Sequence, residues 1–129
     1  MSYKYIDNGE FEYKFEINNT KYLVEFSVYE NHKTSNIYVG FSGDKKRKKR
    51  DSFSSLGNKN GLKPLIKAKE IILNFVEWYN ETYIIPKTAY LCIGWSDNRR
   101  KKIYSRLLRD GFKLSKIGNE MLYVKKYRL

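Results

Sequence analysis

The alternation of apolar and polar side chains over residues 10–29 constrains the fold more than any other feature of the chain. The apolar positions are Phe11, Tyr13, Phe15, Ile17, Tyr22, Val24, Phe26 and Val28. A period of two is typical of strands that bury one face. The interruption at Asn18-Asn19-Thr20 supplies residues that tolerate the positive φ of a tight turn. The sequence therefore predicts an antiparallel hairpin.

The rest of the chain alternates between strand-like and helix-like patterns. We predict a third strand at 37–41, a long helix at 62–82, and a mostly apolar strand at 88–95. Ser96 and Asp97 suit a helix N-cap and Gly111 suits a helix end, which predicts a second helix over 96–110. Gly118-Asn119 separates two further strands. The expected fold is a single α+β domain over residues 1–129 with a mixed, largely antiparallel sheet in the order β-β-β-α-β-α-β-β.

Charge divides the chain into two unequal parts. Residues 1–44 carry four Lys or Arg against seven Asp or Glu, and residues 45–129 carry twenty-two against seven. The second part contains the run Lys45-Lys46-Arg47-Lys48-Lys49-Arg50. This run lies in a long predicted loop at about 42–61, because residues there show no apolar periodicity. A like-charge block of this length attracts polyanions such as nucleic acid or an acidic protein surface.

A second group of basic residues is predicted on one side of the helix at 96–110. At 100° per residue, the side opposite the apolar residues carries Arg99, Lys102, Arg106 and Arg109. Lys125, Lys126 and Arg128 would enlarge this cationic surface if they share a face with it. Candidate residues for stacking on bases are Phe53, Trp95 and Tyr127. The predicted contact is with phosphates and carries little base specificity.

Several classes of function receive no support from the residues. The one cysteine, Cys92, precludes an internal disulfide and lies in an apolar strand, where a thiol acts as a small hydrophobe. The one histidine, His32, lies in a polar segment without metal-ligand neighbours, so no metal is predicted. No signal peptide or membrane span is evident, which predicts a cytoplasmic protein without a membrane partner. The oligomeric state stays open.

The predicted order of elements resembles the C-terminal two thirds of the Gcn5-related N-acetyltransferase (GNAT) fold. The resemblance implies acetyl-CoA as the cofactor under this reading, held by a loop whose place here is taken by Gly57, Asn58, Lys59, Asn60 and Gly61. Only Gly61 keeps the family's glycine register. The resemblance also implies that Tyr104, which precedes Gly111-Phe112, protonates the departing thiolate. Packing against the sheet is the competing role of Tyr104.

The segment from Ile85-Pro86 to Leu107 also resembles small uncharacterised bacteriophage proteins with a proline, a strand and an arginine-rich helix. The first hypothesis is thus a non-catalytic basic binding protein, encoded by a phage or mobile element, that contacts nucleic acid or another polyanion without a cofactor. The second is a structural or assembly protein of a phage virion, with acidic and basic parts docking on neighbouring subunits. The third is an acetyl-CoA-dependent N-acetyltransferase.

Overall fold

A computed structural model describes residues 3–43, 63–83, 88–94 and 111–128. Within them the elements are β1 (Lys4–Asp7), β2 (Glu10–Ile17), β3 (Thr20–Glu30), β4 (Thr34–Gly43), α1 (Lys63–Thr82), β5 (Thr88–Ile93), β6 (Lys113–Ile117) and β7 (Glu120–Arg128). The strands form one sheet in the order β1-β2-β3-β4-β5-β7-β6. β4 and β5 are parallel, and the other five pairings are antiparallel.

The predicted α+β class is wrong. Strands make up 60% and helix 23% of the described residues, so the fold is mainly β. Four strands, rather than the three of the predicted order β-β-β-α-β-α-β-β, precede α1. The extra strand is β1, whose four side chains are all exposed, so it has no alternation of buried and exposed residues to mark it. The second predicted helix, at 96–110, lies outside the described residues.

The helix α1 covers one face of the sheet, which we call the helix face. Its buried side chains are Pro64, Ala68, Ile71, Ile72, Phe75, Val76 and Tyr79. The proline is tolerated because the first helical turn has no use for its missing N–H. Phe75 stacks on Phe26 of β3 with ring centroids 3.9 Å apart, and both rings are fully buried. The apolar phase of the strands and the apolar stripe of the helix therefore form the core together.

Tight turns join the first three strands. Asn18 and Asn19, between β2 and β3, have φ of 49° and 63°, which confirms the turn predicted there. Asn8 and Gly9, between β1 and β2, have φ of 45° and 80°. Two consecutive residues with positive φ are the arrangement whose twist matches that of antiparallel strands. The chain thus builds this edge of the sheet from local contacts.

Within the described residues, α1 is the one helix, and no stretch of it is long and apolar enough to cross a bilayer.

Candidate functional site

Most of the site residues predicted from sequence lie outside the described residues. These are Lys45, Lys46, Arg47, Lys48, Lys49, Arg50, Gly57, Asn58, Lys59, Asn60, Gly61, Arg99, Lys102, Tyr104, Arg106 and Arg109. Anion binding by the basic residues, acetyl-CoA binding at 57–61 and proton transfer by Tyr104 stay predictions. The same holds for stacking by Phe53 and Trp95.

Charge is segregated across the sheet. The strands β1 to β3, with their turns, carry Asp7 and five glutamates against three lysines. The hairpin β6–β7 carries five cations and the single carboxylate Glu120. The two groups of strands occupy opposite edges of the seven-stranded sheet, whose outermost strands β1 and β6 are about 29 Å apart at the usual strand spacing. Within the described residues, the acidic strands β1 to β3 and the basic hairpin β6–β7 thus lie at opposite edges of one sheet.

The five cations of this hairpin, which we call the cationic edge, are Lys113, Lys116, Lys125, Lys126 and Arg128. All except Lys125 are exposed. Successive residues of a strand point to opposite faces, so Lys126 and Arg128 share the face away from α1. The pairing of Lys113 with Val124 brings Lys113 to the same face. The predicted C-terminal cluster is therefore divided between two faces, with Lys125 on the helix face.

Aromatic rings hold two lysines of the cationic edge in place. The Nζ of Lys125 lies 5.1 Å from the Tyr127 ring centroid and 5.9 Å from that of Phe112. The Nζ of Lys126 lies 5.9 Å from the Tyr90 ring centroid. These separations are within the range of cation–π attraction. Because Tyr127 lies half-buried on the helix face beside Lys125, its contacts are with the core rather than with an open binding surface.

Three tyrosines that the sequence analysis missed lie on the face of the sheet away from α1. Tyr29, Tyr38 and Tyr90 belong to β3, β4 and β5, and we call them, with Asn36 between them, the tyrosine platform. Tyr29 pairs with Asn36, which pairs with Tyr90, which pairs with Lys126. Tyr29 is 60% exposed. The row from Tyr29 through Asn36 and Tyr90 thus leads across the sheet to Lys126 of the cationic edge, with Tyr38 in the adjacent row.

The two ends of the face away from α1 differ in how far their side chains are exposed to solvent. Leu23, Ser42 and Leu122 are buried at one end, whereas Tyr29, Tyr90 and Arg128 lie at the other, and the buried Cys92 pairs with Tyr38 between them. Tyr38 contacts Tyr29 edge-to-face with ring centroids 5.7 Å apart. Burial, with smaller contributions from Cys92, Tyr29 and Glu120, raises the pKa of Tyr38 above its usual value. Its ring is therefore neutral, and its hydroxyl is a hydrogen-bond donor throughout the physiological pH range.

Carboxylates limit the platform on the side away from the cationic edge. Glu10 of β2 lies next to Ser27, and the Ser27 Oγ donates a 2.7 Å hydrogen bond to the Glu10 Oε2. Glu12 and Glu25 are paired across β2 and β3 on the same face. An anion on this face is repelled from β2 and attracted toward β7. Negative charge therefore lies on the β2 side of this face and positive charge on the β7 side.

The buried thiol of Cys92 agrees with its predicted place in an apolar strand. Cys92 is 1% exposed, and burial raises its pKa to about 11. The reactive thiolate is therefore a small minority at neutral pH. We expect a thiol reagent to label the folded protein at pH 8 at least 100-fold more slowly than the protein unfolded in denaturant. Mass spectrometry measures the extent of labelling. Rapid labelling of the folded protein would contradict the buried position of Cys92.

Within the described ranges, no group of three His, Cys, Asp or Glu side chains is arranged to hold a metal ion. Comparisons with protein-family models, curated proteins and solved structures found no match.

Proposed function

We propose that the protein is a non-catalytic binding protein that contacts the phosphates of nucleic acid through its cationic edge. The observation that carries this proposal is the segregation of charge across one sheet. Five cations and one carboxylate occupy the hairpin β6–β7, and the six carboxylates of β1 to β3 and their turns lie toward the opposite edge. Such a distribution attracts a polyanion to one edge and orients it by repulsion from the other. The whole chain, with a net charge of +12, adds long-range attraction.

The geometry of the cationic edge suits phosphates better than a small anionic ligand. Lys113, Lys126 and Arg128 share one face and lie on two neighbouring strands. They are exposed, so each contributes a point of contact along an extended chain of charges. Contacts of this kind supply affinity without reading sequence, and they release condensed counterions from the nucleic acid. Binding should therefore weaken steeply with salt.

The test is the salt dependence of binding in a variant with Lys113, Lys126 and Arg128 each changed to Gln. For duplex DNA, each lost phosphate contact reduces the slope of log K against log salt by about 0.9. We expect a slope smaller by about 2 to 3 units, measured by fluorescence anisotropy between about 50 and about 200 mM salt. The wild-type slope would persist if these residues make no phosphate contact, and that result would contradict the proposal.

A matched control removes the same charge from the other edge. Lys4, Lys14 and Lys21 are exposed and lie in β1, β2 and β3, among the carboxylates. Changing all three to Gln lowers the net charge by the same amount as the first variant. We expect the control to keep nearly the wild-type slope, because the effect depends on position rather than on total charge. Equal effects of the two variants would reduce the proposal to non-specific attraction.

The basic run forms a separate arm of the same experiment. Neutralising Lys45, Lys46, Arg47, Lys48, Lys49 and Arg50 tests whether this segment adds to the cationic edge. A reduced slope in both variants would assign phosphate contacts to both segments. A stable oligomer that forms without nucleic acid, together with no nucleic-acid binding, would instead favour the assembly role in a phage virion.

A further inference from the structure

We propose that the tyrosine platform selects single-stranded nucleic acid by stacking unpaired bases on Tyr29, Tyr38 and Tyr90. This inference rests on the proposed function and names the form of nucleic acid bound. Bases in a duplex have their faces covered by their neighbours. An aromatic sheet surface therefore binds bases that are splayed out of a single strand.

The platform has the parts that such binding needs. Tyr29 is 60% exposed, and Tyr38 and Tyr90 are half-buried, so their rings are fixed at the surface. Tyr29 and Tyr90 lie two strands apart, about 10 Å at the usual strand spacing. Asn36 lies between them in the same row and offers amide donors and acceptors to a base edge. The three rings provide positions for about two or three bases.

The charges around the platform define how the strand lies. Lys126 is the next residue in the row after Tyr90, and Arg128 is the next residue of that face along β7. Glu10 and Ser27 lie on the opposite side, where the carboxylate repels phosphates. The phosphate backbone should therefore follow β7, with its bases directed across β5 and β4 toward β3. In this arrangement the phosphates pair with the cations of β7, and the bases stack on the tyrosine rings of β5, β4 and β3.

The Lys126 side chain can change partners when a strand binds. Its Nζ lies 5.9 Å from the Tyr90 centroid in the unbound protein. An exposed cation–π contact of this kind is weaker than the stacking of a base on an aromatic ring. A base can thus displace the Lys126 ammonium from the Tyr90 ring. The phosphate of the same nucleotide then pairs with that ammonium. Stacking and phosphate contact are coupled at this residue.

The experiment compares short oligothymidine, oligouridine, oligodeoxyuridine and duplex DNA by fluorescence anisotropy with the full chain. We expect the single strands to bind more tightly than the duplex at equal salt. Tyr29→Ala and Tyr90→Ala should each weaken single-strand binding by roughly 5- to 150-fold and leave duplex binding unchanged. Tyr90→Phe retains the ring and should bind as the wild type does. Tyr5→Ala, which removes a 53% exposed tyrosine from β1, is the matched control and should have no effect.

The outcomes separate this inference from the proposed function. Equal affinity for single strands and duplex, with no effect of Tyr29→Ala or Tyr90→Ala, overturns the platform and leaves the phosphate-binding edge standing. No binding of any nucleic acid at low salt overturns both. Because Tyr29 is mostly exposed, Tyr29→Ala should fold normally, and circular dichroism checks this. A preference for oligouridine over oligodeoxyuridine of the same length, which differs only in lacking the 2′-hydroxyl, identifies RNA as the ligand, and the reverse identifies DNA.

Discussion

Replacing Phe75 by Ala should lower the free energy of unfolding by about 3–5 kcal/mol. The Phe75 ring is fully buried, stacks on Phe26, and contacts Tyr3 and Phe11 edge-to-face with centroids 5.3 Å and 5.5 Å away. Its removal takes apolar surface out of the core and leaves a cavity between α1 and the sheet. Because small domains are stable by about 5–15 kcal/mol, this one change removes a large part of the total. Urea unfolding followed by circular dichroism measures the loss.

Ile66 provides the matched control for Phe75 on the same helix. Ile66 is 62% exposed, so Ile66→Ala should change the free energy of unfolding by no more than about 0.5 kcal/mol. Phe75→Leu, which retains part of the side-chain volume, should fall between the two and serves if Phe75→Ala does not fold. Equal losses for Phe75→Ala and Ile66→Ala would mean that α1 does not pack on the sheet by this face.

The elements of the fold were predictable where burial imposes a period on the sequence. The alternation from Phe11 to Val28 predicted the hairpin β2–β3, because the alternating apolar residues there, all except Leu23, lie on the helix face. The helix was evident because one stripe of it is buried. The fold class was wrong for a physical reason. Long strands such as β4 carry polar residues at their ends, so Thr34 and Asn36 extend the pairing without adding apolar periodicity.

A signal for the missed strand β1 was present in the sequence. The dipeptide Asn8-Gly9 between Tyr5-Ile6 and Glu10-Phe11 is typical of a two-residue hairpin turn. The side chains of β1 are exposed. The residue before the strand, Tyr3, packs it onto the core through ring contacts with Tyr13, Phe26, Phe75 and Trp78. Turn chemistry rather than hydrophobic periodicity was therefore the informative feature at this edge.

The candidate site was harder to predict from the sequence than the fold, because the site depends on which strands become neighbours. Lys126 and Tyr90 are far apart in sequence and meet because β7 inserts between β5 and β6. Tyr29 could have been noticed, since it follows Glu25 and Ser27 in the polar phase of β3, where an aromatic residue has no role in the core. Position on the phase that faces away from α1 thus distinguishes candidate binding tyrosines from core tyrosines such as Tyr22.

Gly9→Ala should destabilise the protein through the turn between β1 and β2. Gly9 has φ of 80°, where an alanine costs about 1–2 kcal/mol. A Cβ at this position would also lie 2.6 Å from the carbonyl oxygen of Val28. The turn cannot simply move away, because the Val28 N–H donates a 2.9 Å hydrogen bond to the Gly9 carbonyl oxygen. We therefore expect a total loss of about 2–5 kcal/mol in the free energy of unfolding.

Gly111→Ala separates the two causes of this loss. Gly111 has φ of 89°, close to that of Gly9, so it shares the conformational cost. Among the described residues, a Cβ there would meet only the flexible Lys125 side chain, at 3.5 Å, which is an ordinary contact. Urea unfolding should show a larger loss for Gly9→Ala than for Gly111→Ala, and hydrogen exchange should show faster exchange of the Val28 amide in Gly9→Ala alone. If the two variants lose equal stability, the contact with Val28 contributes nothing. In that case backbone conformation alone accounts for the requirement for glycine at this turn.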